Sequence, residues 1–395
     1  MRILWISSLA WKYETGYRNE VNGAGAVSGS MFQQSMIEGL EELGHRVDIV
    51  CDYPYKPGGK VHSEFNWNHN NNSEDITVKT ISIPYISLLY KEFSIIRAVK
   101  EKNRKNEYDV AIAYLIHQPY MKALSVIKRI NSNVRTVLIC PDLPDMMDMS
   151  LDKKLLKKYL KKIDAHRITK LYKSIDGFVL FAEKMRERID INKKPYAVIE
   201  GVATIDELNL EPVKKKKYVL HAGTLHKNIG IEQIIEAFEY IKHTDISLKI
   251  YGTGELEGYI IEKANSNPRI QFGGFVDRNK LFAKQKEALV LINARNPKDD
   301  FTKYSFPSKT FEYLYSGTPF ITTKLDGVPK EFGPYLFEIE DNNPTTIANK
   351  IDEIYDNYEE CLVKALRARD FIKEEKGKVK QARKLVNFVL QLKGD

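Results

Sequence analysis

The residues best placed to do chemistry lie in one run, Ser305-Phe306-Pro307-Ser308-Lys309-Thr310-Phe311-Glu312-Tyr313-Leu314-Tyr315-Ser316-Gly317-Thr318-Pro319. Ser308 can cap a short helix, Gly317 can end it in the left-handed conformation, and Pro319 prevents its continuation. Glu312 has no such local reason. It stands one position beyond a capping-box glutamate, in a first turn flanked by apolar residues, with no evident partner nearby. A carboxylate there can accept hydrogen bonds from two vicinal hydroxyls, as on a ribose ring. The alternative is a surface glutamate steadied by the positive end of the helix dipole.

A second group follows a predicted strand at Tyr218-Val219-Leu220 and reads His221-Ala222-Gly223-Thr224-Leu225-His226-Lys227-Asn228 before a helix from Ile231. Fixed cations such as Lys227 and Lys309, with N–H groups at a helix amino terminus, hold phosphate oxygens and stabilise negative charge that develops on them. No Asp-x-Asp motif and no His/Asp cluster with metal-ligand spacing stands in a suitable loop, so chemistry without a metal is expected. Gly23 and Gly25 would let the backbone approach a ligand closely, and they are equally a tight turn.

These residues need elements to position them. Short apolar runs alternate with amphipathic stretches from end to end, the pattern of parallel sheets crossed over by helices. Strands are predicted at Ile3–Ile6, Arg46–Val50, Ile76–Ile83, Asp109–Tyr114, Arg135–Ile139, Gly177–Phe181 and Tyr196–Ile199. Between the first two lie a glycine loop, Asn22-Gly23-Ala24-Gly25-Ala26, and a helix from Ser30 to Leu43 closed by Gly44. The polar stretch from Val50 to Ile76, with Asn66-Trp67-Asn68-His69-Asn70-Asn71-Asn72, has no period and is predicted as a mobile surface loop.

Near Gly201 the alternation restarts, after which Lys214–Lys217 is expected as a solvated linker and new strands fall at Ser247–Tyr251, Ile270–Phe272, Ala288–Ile292 and Pro319–Thr323. The expected architecture is α/β: two Rossmann-like, doubly wound domains, residues 1–200 and 201–375, facing across a cleft in which a ligand sits. Residues 376–395 are expected to form a final basic helix, Val379–Leu392, that packs back on the first domain.

Composition agrees. The 395 residues suffice for two cores, and 43% hydrophobic with 29% charged residues excludes disordered and collagen-like chains. The 61 basic against 53 acidic side chains give a net charge of +8, which favours an anionic partner. Cys51, Cys140 and Cys361 are far apart, which disfavours a disulfide framework and a zinc site and fits a reducing cytoplasm. No segment approaches the roughly 18 uncharged apolar residues that cross a bilayer, so any membrane contact is expected to be peripheral.

Taken together, these motifs resemble the GT-B glycosyltransferases of family 4 (glycosyltransferase group 1), retaining enzymes that use sugar nucleotides. Glu312, Gly317 and Pro319 match the family's E-x-x-x-x-G-x-P. Leu40-Glu41-Glu42-Leu43-Gly44-His45-Arg46-Val47, following Gly23 and Gly25, matches its early helix, and Ile199-Glu200-Gly201-Val202 its domain junction. Gly223–Lys227, Tyr251-Gly252-Thr253-Gly254-Glu255 and Phe272-Gly273-Gly274-Phe275-Val276 resemble its phosphate-loop and base-binding segments. The chain departs from the pattern in three places. Tyr304 stands where the first glutamate of the family's pair falls, with Asp299 and Asp300 just upstream. Thr224 replaces the phosphate-loop arginine, leaving Lys227 with Lys309 as the cations. Cys140-Pro141-Asp142 replaces a histidine segment, so Asp142, or else His117, is the candidate beside the transferred sugar.

The resemblance implies a hexosyltransferase with no cofactor, whose donor is a nucleoside diphosphate sugar, read as UDP-linked. Gly23, Gly25, Gly223, Thr224, Lys227, Gly252, Val276, Ser308, Lys309 and Glu312 would bind the donor, with Glu312, Lys227, Asp142 and His117 at the reaction. The acceptor would be a glycan or a polyprenyl-diphosphate-linked oligosaccharide in surface polysaccharide synthesis, and the anomeric configuration would be retained. Lysines recur on one face of Lys153–Lys162, opposite Leu155, Leu156, Tyr159 and Leu160. That stretch is either a basic amphipathic helix on the inner face of the cell membrane or a helix with a solvated charged side. Three rivals remain: an epimerase of the same fold, a catalytically silent nucleotide-sugar-binding partner, and a nucleic-acid-binding module. The last lacks a basic stripe interleaved with aromatics, so no nucleic-acid partner is expected.

Overall fold

The computed structural model describes residues 1–11, 23–54, 61–81, 83, 86–143, 167–189, 191, 193–204, 211 and 213–394. They form two compact units, one running to Val202 and resuming at Lys378, the other spanning Ala203–Gly377. The predicted helix at Lys153–Lys162 lies outside the described residues.

The first unit is built on β1 (Arg2–Ser8), β2 (Arg46–Asp52), β4 (Phe65–Trp67), β5 (Asp75–Thr77), β7 (Val110–Tyr114), β8 (Arg135–Cys140), β9 (Gly177–Leu180) and β10 (Tyr196–Val198), in the order β10-β9-β8-β7-β1-β2-β5-β4. All these pairs are parallel except β4 with β5. A separate ribbon pairs β3 (Val61–His62) with β6 (Thr80–Ile81). The single strand expected over Ile76–Ile83 is thus two short ones, serving different sheets. Strands such as Val110-Ala111-Ile112-Ala113-Tyr114 are buried throughout, as a sheet covered on both faces demands.

Helices α1 (Gly23–Glu42), α2 (Ser87–Lys105) and α3 (Gln118–Ile130) belong to this unit. Gln33 of α1 accepts from Trp5 Nε1 at 2.9 Å and donates to the Ser8 carbonyl at 3.0 Å, tying the helix to β1. Gly23 and Gly25 lie within α1, where a loop was expected. The C-terminal helix, Lys378–Lys393, packs on α1. Gly39 permits this close approach, since a Cβ there would fall 2.4 Å from the Lys378 carbonyl oxygen. The helix also buries Leu385, Phe388 and Val389 in the first unit's core.

The asparagine-rich stretch is not the expected open loop. It closes the β4–β5 hairpin around His69, whose imidazole is almost wholly buried and bonded at 2.7 Å to both Asp75 (Nδ1) and Glu41 (Nε2). The Trp11 ring stands 4.8 Å from it. Hairpin periodicity is invisible here because the contact that holds the turn comes from α1, about thirty positions earlier in the chain.

In the second unit β11 (Lys216–Thr224), β12 (Ser247–Thr253), β13 (Ile270–Phe272), β14 (Ala288–Asn293), β15 (Phe320–Thr323) and β16 (Phe337–Ile339) form an all-parallel sheet ordered β13-β12-β11-β14-β15-β16. Helices α4 (Ile231–Ala237), α5 (Glu257–Ser266), α6 (Arg278–Glu287) and α7 (Lys309–Tyr315) connect its strands, and α8 (Pro344–Asp356) and α9 (Tyr358–Glu375) follow. The Lys214–Lys217 run is not a solvated linker. Lys216 and Lys217 open β11 and pair with Glu287 and Asp245, at 2.7 and 2.6 Å. Lys215 donates to Thr318 Oγ1 at 2.7 Å, and burial together with the charge of Lys286 lowers its ammonium to about 8. Among the described residues no helix is long and apolar enough to cross a membrane.

One prediction follows from His69. Burial by itself would lower its pKa, but the bonds to Asp75 and Glu41 outweigh that and raise it from 6.5 to about 9. The stabilisation is complete below the unfolded value near pH 6.5, declines as pH rises and is gone above about 9, in total on the order of 3 kcal/mol. Urea unfolding between about pH 6 and pH 10 should therefore weaken the wild type more than His69→Gln. Equal losses in the two would show that the paired imidazolium contributes nothing.

Candidate active site in the second unit

Strand order reverses direction at β11 and β14, so the crossovers leave toward opposite faces and a crevice opens at the carboxyl ends of these two strands. What lines it is set by the segments that follow each strand: Gly223–Asn228 after β11, Ala294–Ser308 after β14, and α7.

Helix α7 is anchored to β11 by one side chain. The ladder between β11 and β14 ends with Leu220 opposite Leu291. Beyond it, the buried Tyr313 hydroxyl accepts from the Ala222 N–H at 2.8 Å and donates to the Ala222 carbonyl at 3.0 Å, taking over both backbone groups. Gly317 then ends the helix with φ +67°, a conformation glycine adopts without strain. Ser308 occupies the cap position but makes no side-chain cap bond, and it is exposed.

Glu312, expected to lack a local partner, has three. Its Oε2 lies 3.6 Å from both Arg278 Nε and Lys309 Nζ, and its Oε1 is 3.4 Å from Gln285 Nε2. Arg278 is itself held by donation to the Thr204 hydroxyl at 2.9 Å. Arg278 and Gln285 come from α6, which the spacing around Glu312 could not reveal. The carboxylate is therefore oriented by two cations from different elements, with only 11% of its side chain exposed.

His221 and Arg295 also belong to this crevice and were not among the expected residues. His221 Nδ1 donates to the Ile292 carbonyl at 3.0 Å, which fixes the tautomer and leaves Nε2 buried without a partner. Burial above all, with Arg295 and Lys309 adding like charge, pushes its pKa down to about 4, so the ring is neutral and Nε2 is an acceptor. Arg295 is pushed down to about 10 by burial, and its Nε is likewise buried and unpartnered. Its carbonyl accepts from Thr323 Oγ1 at 2.6 Å, fixing the loop after β14 to β15. Gln285 Oε1, Asn293 Oδ1 and Ser305 Oγ are further buried polar atoms without partners among the described residues. Such groups are costly unless something satisfies them, which makes the crevice they line a candidate binding site. The available signal was a polar residue close after a predicted apolar strand, His221 directly after Leu220 and Arg295 three residues after Ile292.

The loops after β11, β12 and β13 are stitched backbone to backbone. Leu225 N donates to the Thr253 carbonyl at 2.9 Å, and Gly252 N to the Gly274 carbonyl at 2.9 Å. A Cβ at Gly252 would lie 1.8 Å from the Gly223 carbonyl oxygen, so that glycine is required for the loops to meet. A Cβ at Gly223 would meet nothing within 4 Å, so the site above it is open. Thr224 and Lys227 are exposed at the loop's tip, and Lys227 N is held by Glu255 Oε1 at 3.1 Å. Val276 is partly buried and packs on the core that contains Tyr251, while its neighbour Phe275 is 79% exposed. Tyr304 is buried at 8%.

The remaining expected residues belong to the first unit. His117 stands before α3 with its ring 4.9 Å from Tyr120, and burial foremost, then Lys91, lowers its pKa to about 4. Asp142 reaches solvent from an enclosed position near Tyr114, and the desolvation raises its carboxyl above the ordinary aspartate value. The two face different neighbours. Gly23 and Gly25 lie in the first turn and a half of α1.

Residues 205–371 match the family of glycosyl transferases group 1, which is nearly the whole second unit. The second unit is a glycosyltransferase domain. No curated protein sequence matches the chain. Its fold is shared with sucrose-phosphate synthase from Thermosynechococcus elongatus, 15% identical with a TM-score of 0.71 over 99% of each chain. It is shared also with HepE from Anabaena in complex with UDP, 14% identical with a TM-score of 0.64 over 99% of this chain and 100% of that one. A variant of TarM from S. aureus, in complex with fondaparinux, alpha-GlcNAc-glycerol and UDP, is 13% identical with a TM-score of 0.61 over 98% and 100%. The chain is thus a glycosyltransferase with the GT-B fold of two Rossmann-like domains.

Tyr313→Phe tests how this glycosyltransferase positions its site. It strips both Ala222 backbone groups of their partner and should cost about 1–3 kcal/mol in urea unfolding. An unchanged midpoint would mean that α7 is held by packing alone.

Proposed function

We propose that the enzyme transfers a sugar from a UDP-linked donor to a glycan or polyprenyl-diphosphate-linked acceptor, with retention of anomeric configuration. The observation that carries this reading is the Glu312 carboxylate held between Arg278 and Lys309 beside a crevice with unsatisfied polar atoms. Glu312 presents oxygens to the vicinal hydroxyls of the ribose, and the neutral His221 Nε2 accepts from a further donor hydroxyl. Uridine is favoured by the fold shared with two structures that hold UDP.

Breaking the bond between sugar and diphosphate places negative charge on the leaving phosphate. Lys227, Lys309 and Arg295 are fixed cations that stabilise this charge, more strongly in the transition state than in the ground state. The exposed Lys227 is free of a competing carboxylate on its ammonium in the described structure, so it can turn to the phosphate. No cofactor takes part. Asp142 and His117 of the first unit serve the transferred sugar. A lipid-linked acceptor agrees with the basic segment Lys153–Lys162, which would rest on the inner face of the cell membrane.

Calorimetry with UDP and release of UDP from a panel of UDP-sugars test the assignment. Glu312→Ala should weaken UDP about 100-fold, the loss of two hydrogen bonds to a charged group. Lys227→Ala should cut turnover by about 100-fold with the fold intact. UDP binding without release of UDP from any donor would identify a silent binding partner instead. No binding of UDP, with binding of another nucleoside diphosphate, would overturn the choice of donor.

A further inference from the structure

Six of the thirteen large hydrophobic side chains that stand exposed among the described residues fall between positions 61 and 93: Val61, Phe65, Ile83, Ile86, Leu89 and Phe93. They are not scattered. Leu89 and Phe93, four apart, share one side of α2, 61% and 65% exposed, and Ile86, the cap residue, precedes Leu89 by three. The opposite side carries Ser94, Ile95, Ala98 and Val99, which are buried. Packing on the core therefore does not explain the apolar ridge. β6 packs against α2, which brings the β3–β6 ribbon, and with it Val61, to the same region.

Continuing at the same spacing, the ridge changes character. Arg97, Lys100 and Arg104 follow Phe93 at intervals of four, three and four, and all three are exposed. Arg97 is paired with Glu64, while the exposed Glu101 lies off the stripe and is occupied by Lys105 at 3.0 Å. One helical face is thus apolar over its first half and cationic over its second. An isolated apolar patch of this kind fits many partners. An apolar surface continued by Lys100 and Arg104, with Arg97 beside its partner Glu64, fits a boundary where acyl chains and phosphate headgroups lie side by side.

We propose that the exposed face of α2 docks on an anionic phospholipid membrane, with Ile86, Leu89 and Phe93 entering the headgroup boundary and Arg97, Lys100 and Arg104 against lipid phosphates. This deepens the membrane-linked reading above and rests on it for its purpose, with residues other than Lys153–Lys162.

Sedimentation of the full chain with vesicles of phosphatidylglycerol, compared with phosphatidylcholine, tests it. Wild type should bind the anionic vesicles. The double variant Leu89→Ser with Phe93→Ser, and the triple variant Arg97→Gln with Lys100→Gln and Arg104→Gln, should each lose about tenfold or more in partitioning. Thermal response to UDP should match wild type in both. Wild-type binding by either variant would overturn the proposal. So would loss of binding only when Lys157, Lys158, Lys161 and Lys162 are neutralised, which would leave the membrane reading standing on the other segment. Absence of any vesicle binding would remove both membrane surfaces while the donor assignment stays open to its own calorimetric test. A self-associated wild type that Leu89→Ser with Phe93→Ser dissolves, without vesicle binding, would make the ridge a contact between copies.

Discussion

A carboxylate pressed between two cations is the constraint around which the second unit is arranged. Glu312 can serve a ligand only if it is aimed and kept from wandering, and several neighbours share that task. Arg278 and Lys309 flank its Oε2, each at 3.6 Å. Gln285 limits where the second oxygen points. Tyr313, bonded to both backbone groups of Ala222, fixes the helix that carries it to the end of β11. The neighbouring groups His221 Nε2 and Arg295 Nε are buried without a partner, an arrangement that costs stability unless a ligand satisfies it.

The first unit shows the opposite use of a buried charge. His69 is satisfied on both ring nitrogens, and the aromatic side chains of Trp11 and Trp67 stand around it. Neither imidazole nitrogen is left over for a ligand. Its effect is to hold a hairpin whose turn residues, mostly asparagine, have little apolar surface of their own to bury. The comparison is instructive because both sites contain a histidine beside acidic or basic neighbours, and only the hydrogen-bond accounting separates a scaffold from a binding site.

Much of the site was legible as residue types. Glu312 stood out because helix-capping chemistry left it unexplained, and Lys309 and Lys227 because they are cations near predicted helix starts. Other residues changed meaning once placed. Gly252 allows loop backbones to touch, and Val276 packs on the core beside Tyr251. Gly23 and Gly25 are helical where a tight turn was expected, and Lys215 is half-buried beside Lys286 where a solvated run was expected. In each case a neighbour distant in the chain decided the outcome, and no local pattern records such a neighbour.

Alternation of apolar strands with amphipathic helices determined the α/β class, and the restart of that alternation near Gly201 lies beside the boundary between the two units at Val202 and Ala203. Periodicity suffices for this because the hydrophobic effect acts on each element's own face. Tertiary structure alone decided which cations meet Glu312, which histidine is left with an open nitrogen, and which side of α2 stays uncovered. Those outcomes depend on distances between segments that are remote in sequence, and Coulomb and hydrogen-bond energies are set by such distances and by burial, neither of which a linear string of residues contains.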